Sequence, residues 1–210
     1  DGEAAFDYSG RSVSAAGDVN GDGFDDVIIS RSTFYDGNSI PVTVGYVVLG
    51  KPSGFSPILS LSDLDGSNGF HLDVDSFYSN PSSLSSAGDV NGDGFDDLIV
   101  GINFATYSGG HFDGIASYVV FGKASGFDAA LNLSNLNGSD GFRLTGARSG
   151  LYDGSVQVSS AGDINGDGFD DLMVGVRSGG GLYYSGTSYV VFGKADGFSA
   201  ELNLLSLDGS

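Results

Sequence analysis

The sequence predicts an all-β protein built from three copies of one unit, because two motifs recur at a regular spacing. A nine-residue segment at 18–26 returns unchanged at 89–97, and returns with one conservative change at 163–171. The copies begin 71 and 74 residues apart. The motif Tyr-Val-Val, followed by Leu or Phe and then Gly, occurs at 46–50, 118–122 and 189–193. This periodicity indicates one repeat domain that fills residues 1–210.

Each unit is predicted to contain four short strands. The first strand is rich in Ser, Ala and Gly, and its copies are 12–16, 83–87 and 156–161. The second strand is a continuous apolar run, as expected of a strand covered on both faces, at 26–30, 97–101 and 171–175. The third strand contains the Tyr-Val-Val motif. The fourth, at 69–72 and 141–144, alternates apolar and polar residues and is therefore expected to be half exposed.

This order of strands, from small through apolar to alternating, is typical of a β-propeller blade followed from the axis to the rim. Only small side chains fit where the first strands crowd together near the axis. A β-sandwich would not explain the long repeat, and a parallel β-helix would need a much shorter one. We therefore expect three four-stranded antiparallel blades, at approximately 12–74, 83–146 and 156–210.

The nine-residue segment is a candidate calcium loop. Oxygen side chains at its positions 1, 3, 5 and 9 can converge on one hard cation, and Gly at position 6 permits the tight turn. Three carboxylates per loop suit Ca²⁺ better than Mg²⁺, which requires a stricter octahedron. We expect one Ca²⁺ per repeat and three per chain. The expected ligands, with each Phe contributing its backbone carbonyl, are Asp18, Asn20, Asp22, Phe24, Asp26, Asp89, Asn91, Asp93, Phe95, Asp97, Asp163, Asn165, Asp167, Phe169 and Asp171.

Two other interpretations compete with the calcium loop. An EF-hand loop carries a carboxylate at position 12 and lies between helices, whereas position 12 here is Ile29, Val100 or Val174 and a strand follows. The second interpretation is a plain Asn/Asp/Gly turn without metal. Four acids within nine residues would repel one another in such a turn, so the calcium interpretation is preferred.

The strongly acidic composition excludes some classes of partner. The chain has 8 Lys and Arg against 27 Asp and Glu, and its net charge of -19 argues against nucleic acid and anionic membranes. No apolar segment approaches the length of a membrane span, so no membrane insertion is expected. The absence of Cys excludes a disulfide scaffold and thiolate metal sites. Weak calcium modules are typical of extracellular proteins, so we expect an extracellular, cell-surface or periplasmic location, although no signal peptide is present at Asp1.

The pattern Gly-Asp-Val-Asn-Gly-Asp-Gly-Phe-Asp-Asp-Leu-Ile-Val-Gly at 88–101 resembles the FG-GAP repeat, which is familiar from the integrin α-subunit propeller and from bacterial surface proteins. The resemblance covers all three units. It implies a four-stranded blade with Ca²⁺ between its first two strands, and it implies no catalysis. The chain departs from the family at 29–31, 100–102 and 174–176, where other residues replace most of a Gly-Ala-Pro ending. Integrin propellers also have seven blades, whereas this chain has three.

No catalytic site is predicted. The segment 45–51 matches most of a phosphate-binding loop, but Pro52 replaces the Ser or Thr and the match falls on a predicted strand. Neither His71 nor His111 has a neighbouring Cys or second His for a zinc site. The Ser residues show no nucleophile-elbow motif.

Aromatic residues in the variable segments are candidates for a surface that binds a protein or carbohydrate ligand, on the side opposite the calcium loops. The alternative is that they pack the hairpins. These residues are Tyr8, Phe34, Tyr35, Phe77, Phe104, Tyr78, Tyr107, Phe112, Tyr152, Tyr183 and Tyr184. The first function hypothesis is a non-catalytic binding, adhesion or scaffold module. The alternatives are a fragment or engineered repeat version of a larger propeller with no ligand of its own, and a lectin-like or hydrolase-associated surface protein.

Closure of the ring requires more than three blades, because propellers have roughly four to eight. The segment 1–8 aligns with the fourth strands of the other units, and the third unit ends before its own fourth strand. We therefore expect a head-to-tail homodimer of six blades, in which 1–8 is the closing outer strand of the partner's last blade. The rival expectation is that the chain derives from a longer propeller.

Overall fold

A computed structural model describes residues 8–31, 42–76, 79–105, 112–146, 155–177 and 186–208. In these ranges the chain is all-β, as the sequence predicts, with mainly antiparallel sheets. It also contains three single-turn 3-10 helices, which the sequence analysis did not specify. The helices are Leu61–Asp63, Leu133–Asn135 and Leu204–Ser206. No helix in the described ranges has the length and apolar character needed to cross a membrane.

The strands form three sheets along the chain. The first sheet contains β1 (Val13–Gly17), β2 (Asp26–Ser30), β3 (Val42–Val48) and β4 (Gly69–Val74). The second contains β5 (Ser79–Gly88), β6 (Asp97–Ala105), β7 (Phe112–Val120) and β9 (Gly141–Thr145), with β8 (Ala130–Asn132) between β7 and β9 in the chain. The third contains β10 (Ser155–Gly162), β11 (Asp171–Arg177) and β12 (Thr187–Val191), and β13 (Glu201–Asn203) follows it.

The strands β1 to β4, the strands β5, β6, β7 and β9, and the strands β10 to β12 each form an antiparallel meander, which is consistent with a propeller blade. The spatial orders are β1-β2-β3-β4-β8, β5-β6-β7-β9-β13 and β10-β11-β12. The predicted strand types are present: Ala16 and Ala87 of the first strands are fully buried small residues. In the fourth strand Phe70 and Leu72 are buried while His71 between them is only half buried. The six-bladed ring stays a prediction.

Two short strands differ from the prediction of four per sheet. β8 pairs in parallel with β4 of the preceding sheet, and β13 pairs in parallel with β9. Residues 201–203 therefore belong to the second sheet, whereas the sequence interpretation placed them in the third blade. The physical reason is that the chain crosses to the preceding sheet after each third strand, where the outer strand still has unpaired backbone groups. The pairing adds backbone hydrogen bonds, such as the Arg143 N–H to the Ala200 carbonyl at 2.9 Å.

Most of the core lies between consecutive sheets, and a smaller cluster joins Tyr46 of β3 to Leu61 and Leu64. One cluster joins the first sheet to the second, and a separate cluster joins the second to the third. Matching ring stacks close the outer end of each cluster. Phe70 stacks on Phe127 and Phe142 stacks on Phe198, both with ring centroids 4.2 Å apart. The same contact therefore recurs at each junction, so the three sheets follow one packing rule.

Candidate calcium loops

The three candidate loops each connect the first and second strands of a sheet, at the place where the resemblance expects them. Irregular pairing precedes each loop, for example between Ala15 and Gly17. The loops are described completely, and their internal hydrogen bonds are the same in all three copies. They are the most closely repeated structures in the described ranges.

The carboxylate at position 1 organises each loop. In the first copy, Oδ1 of Asp18 accepts the N–H groups of Gly21 and Asp22 at 2.7 and 3.0 Å, and its Oδ2 accepts the N–H of Gly23 at 2.8 Å. Both glycines have positive φ, +74° and +87°, a conformation that costs a residue with a side chain about 1–2 kcal/mol. The glycines thus let the backbone wrap around the carboxylate. Asp89 and Asp163 accept the equivalent N–H groups.

The residues at positions 3 and 5 are hydrogen-bonded to each other on the exposed side of the loop. Oδ1 of Asn20 accepts the N–H of Asp22 at 3.0 Å, and Nδ2 of Asn20 donates to Oδ2 of Asp22 at 3.0 Å. Oδ1 of Asp22 accepts the N–H of Phe24 at 2.9 Å. The side chains therefore bond within the loop and remain accessible to solvent.

Position 9 differs because its carboxylate is buried. Asp26 is 1% exposed, and it accepts the N–H groups of Val19 at 3.0 Å and Gly50 at 2.7 Å. It thereby ties the loop to the end of the third strand. Asp97 and Asp171 make the equivalent pairs of bonds.

Burial makes the charged forms of Asp26 and Asp97 unfavourable. Burial raises the pKa of Asp26 to about 6, although the two backbone hydrogen bonds act in the opposite direction, and the neighbouring Asp22 and Asp18 raise it further. The pKa of Asp97 rises to about 8 for the same reasons, with Asp93 and Asp89 as the neighbours. A cation beside these loops would therefore relieve a real electrostatic cost.

The donor chemistry of the loops fits a hard cation, because every candidate ligand atom is an oxygen and the acidic side chains are close enough to perturb one another. In the described ranges, however, no group of three or more His, Cys, Asp and Glu side chains is arranged so that it could hold a metal ion. Backbone N–H groups are the partners of these oxygens instead. The fifteen expected ligands therefore stay a prediction.

The residue that the sequence interpretation missed is the Asp at position 8. Oδ2 of Asp96 accepts the N–H of Asp18 at 2.8 Å, and Oδ2 of Asp170 accepts the N–H of Asp89 at 2.9 Å. Asp96 and Asp170 thus join their loops to the loop of the preceding sheet. The available signal was that this position is Asp in all three copies, including Asp25, although no ligand role was assigned to it.

The Phe at position 7 has a second role beyond its carbonyl. A Cβ on Gly21 would overlap the ring of Phe95, and a Cβ on Gly92 would overlap the ring of Phe169. Each ring therefore covers a glycine of the preceding loop. Backbone bonds complete this contact, because the N–H of Lys123 donates to the Val19 carbonyl and the N–H of Lys194 donates to the Val90 carbonyl, both at 2.9 Å.

The aromatic surface is described only in part. Tyr8 is 53% exposed, as a binding surface requires. Phe104 was expected on that surface but packs against the first core cluster, so the packing alternative applies to it. The other candidates lie outside the described residues or have side chains outside them: Phe34, Tyr35, Phe77, Tyr78, Tyr107, Phe112, Tyr152, Tyr183 and Tyr184.

The remaining candidates have structural roles or are not described. Residues 45–48 of the segment that resembles a phosphate-binding loop lie in β3, as predicted. The ring of His71 meets that of Tyr46 edge to face at 5.3 Å. His111 and residues 1–7 of the expected closing strand lie outside the described residues.

Comparison with known proteins agrees with the repeat pattern. The FG-GAP repeat model matches residues 9–43, 80–119 and 152–191. Integrin alpha-PS5 of Drosophila melanogaster is 33% identical over 187 residues, which cover 87% of this chain and 16% of the integrin. Integrin alpha-5 of Xenopus laevis is 31% identical over 179 residues, which cover 83% of this chain and 15% of the integrin. The chain thus spans about one sixth of the length of these relatives. With three matched repeats that cover more than half of its residues, the chain belongs to the FG-GAP repeat family.

Proposed function

We propose that this chain is a calcium-binding module without catalytic activity, which acts in binding or adhesion or as a structural scaffold. The observation that carries the proposal is the threefold repetition of one loop, with a buried carboxylate at position 9 and an exposed acid at position 5. The raised pKa values of Asp26 and Asp97 mean that holding these two buried acids in the charged form costs the fold stability. A bound cation offsets this cost.

In each loop the side chains at positions 1, 3, 5 and 9 and the carbonyl at position 7 would hold the cation. Calcium supplies positive charge that favours the ionised form of the buried acid, for example Asp97. The protein contributes the backbone hydrogen bonds that hold Asp89 and Asp97 in place before the cation arrives. Because the side chains at positions 3 and 5 bond only to their own loop, they can turn toward an ion without unfolding the sheet.

The proposed absence of catalysis rests on the roles of the polar residues. The repeated acids are occupied by backbone N–H groups, and the resemblance to integrin subunits suggests adhesion. We further propose a cell-surface or extracellular location, where calcium is abundant enough for weak sites. Both proposals draw on relatives of which this chain covers about one sixth of the length.

A calcium titration tests the proposal. Melting followed by circular dichroism should show a higher melting temperature in calcium than in chelator, because a ligand that binds only the native state stabilises it. At a hundredfold excess over Kd, each site contributes about 2.7 kcal/mol, or roughly 5–10 °C for a domain of this size. Calorimetry should count about three ions per chain. Identical melting curves in calcium and in chelator would contradict the proposal.

Two variants make this experiment specific. Asp93→Ala removes one exposed acid of the second loop and should reduce the ion count by about one. Asp196→Ala makes the same change of charge in an exposed turn outside the three candidate calcium loops. It should leave the number of bound ions unchanged. If the two variants bind equal numbers of ions, the second loop is not a calcium site.

A further inference from the structure

The candidate calcium loops of neighbouring sheets are in direct contact. At the junction of the second and third sheets, Oδ2 of Asp170 accepts the N–H of Asp89 at 2.9 Å, and the N–H of Asp170 donates to the carbonyl of Asp89 at 3.0 Å. The ring of Phe169 lies over Gly92, where it occupies the space that a Cβ would need. Positions 7 and 8 of the third loop therefore hold positions 4 and 1 of the second loop.

The junction of the first and second sheets repeats this contact. Oδ2 of Asp96 accepts the N–H of Asp18 at 2.8 Å, and the N–H of Asp96 donates to the carbonyl of Asp18 at 3.2 Å. The ring of Phe95 lies over Gly21 in the same way. Both position-1 acids that are held by a neighbouring loop are half buried. The neighbouring sheet thus sets the environment of an expected calcium ligand.

These contacts begin and end at residues that are expected to bind calcium. In the third loop the carbonyl of Phe169 and the carboxylate of Asp171 are expected ligands, and Asp170 lies between them in the chain. In the second loop Asp170 holds Asp89, whose carboxylate is the expected first ligand and also accepts three N–H groups of its own loop. A single residue therefore separates the ligands of one candidate site from the first ligand of the next.

We propose that neighbouring loops bind calcium cooperatively, with Asp96 and Asp170 as the positioning residues that couple them. This inference rests on the proposed function of the loops as calcium sites. An ion in one loop fixes positions 7 and 9 of that loop and so orders the aspartate between them. That aspartate holds position 1 of the preceding loop in place, so the next ion meets a loop whose ordering cost is already reduced.

The coupling acts in both directions, because an ion that strengthens the binding of a second ion is strengthened by it to the same extent. Couplings between sites typically change affinity about 5- to 150-fold, and we expect about tenfold for one junction. Repulsion between the two cations opposes this effect. The repulsion is weak in about 0.15 M salt, where exposed charges more than about 8 Å apart are largely screened, whereas the hydrogen-bonded contact persists.

A calcium titration of the 210-residue chain in this salt measures the coupling. The first and second loops have the same sequence and the third differs only at Ile164, so their intrinsic affinities should be similar. Calorimetry counts the ions, and competition with a chelating dye gives the shape of the binding curve. We expect about three ions and a Hill coefficient above 1; for two similar sites, a tenfold coupling gives about 1.5.

Three variants separate coupling between neighbouring loops from cooperativity with a global cause such as folding. Asp22→Ala, Asp93→Ala and Asp167→Ala each remove the position-5 acid of one loop, and each should leave about two ions. Loss of the first or the third loop leaves two neighbours, so the Hill coefficient should be about 1.5. Loss of the second loop leaves two loops that are not neighbours, so the coefficient should fall to about 1. Equal coefficients in all three variants would overturn the proposal.

Variants of the contact itself test the role of position 8. Asp96→Ala and Asp170→Ala remove a junction carboxylate but no expected ligand, so each should keep about three ions and lower the Hill coefficient. The matched control is Asp25→Ala, which has the same place in the motif beside a position-9 ligand. Asp25 is exposed and holds no neighbouring loop among the described residues, so the ion count and the Hill coefficient should both be unchanged. An equal fall in the control would place the effect within one loop and overturn the coupling.

Circular dichroism in chelator checks that each variant is folded before the titration. Asp170→Asn keeps an acceptor oxygen at the same position and replaces the alanine variant if that variant is unfolded. It should lower the Hill coefficient, and an unchanged coefficient would overturn the role of Asp170. About three bound ions with a Hill coefficient of about 1 in the unmodified chain would overturn the coupling and leave the proposed calcium function intact. A chain that binds no calcium would overturn both.

Discussion

The position-8 carboxylate offers a direct measurement of how strongly neighbouring sheets are joined. Asp96→Ala removes the oxygen that accepts the Asp18 N–H at 2.8 Å and leaves that N–H without its partner. Hydrogen bonds to charged groups contribute about 1.5–3 kcal/mol. Because both groups are only half buried, we expect the lower part of this range, about 1.5–2 kcal/mol, or a melting temperature lower by roughly 3–8 °C.

The assay is urea unfolding in excess chelator, at a low concentration of protein, so that neither calcium nor association contributes. Tyrosine fluorescence is a suitable probe because the chain has 10 Tyr and no Trp. Asp96→Asn keeps an oxygen acceptor but loses the charge, so it should cost about half as much. Asp196→Ala, the control of equal charge in an exposed turn, should stay within about 0.5 kcal/mol.

Two outcomes would refute this reasoning. If Asp96→Ala is as stable as the Asp196→Ala control, the carboxylate does not join the loops. If Asp96→Asn is as unstable as Asp96→Ala, the charge-assisted hydrogen bond is not the source of the effect.

Two further predictions concern pH and backbone shape. In chelator, the free energy of unfolding should fall as pH rises from about 4 to about 8. The folded pKa values of Asp26 and Asp97 are about 6 and about 8, above the ordinary 3.8. The native state therefore binds more protons than the unfolded state in this range and loses stability as they are released. Calcium should reverse this trend, and melting at several pH values checks it; stability that rises with pH in chelator would contradict it. Gly92→Ala should cost about 1–3 kcal/mol more than Gly166→Ala in urea unfolding, since both have φ near +76° but only Gly92 lies against the Phe169 ring. Equal costs would show that the ring yields without strain.

Much of the loop could be predicted because its contacts are local. The hydrogen bonds of Asp18 reach only three to five residues along the chain, so residue type and spacing specify them. The strand types follow in the same way from short runs, as Ala16 and Leu72 show. The role of Asp96 was within reach as well, since an unexplained Asp at one position of all three repeats signals a contact.

The short strands β8 and β13 could not be predicted, because three residues carry no periodicity and their partners lie far away in sequence. Ala130 pairs with His71, and Glu201 pairs with Arg143.

The sequence by itself determined three repeated units, their order of strands and the acidic loop in each, because these depend on neighbours along the chain. Only the tertiary structure decided which copies of a repeated position are covered. Val19, Val90 and Ile164 occupy the same position of the motif, yet the first two are buried and the third is exposed. The reason is that burial at this position comes from the next sheet, whose covering residues lie more than seventy residues further along the chain, as Asp96 does from Asp18.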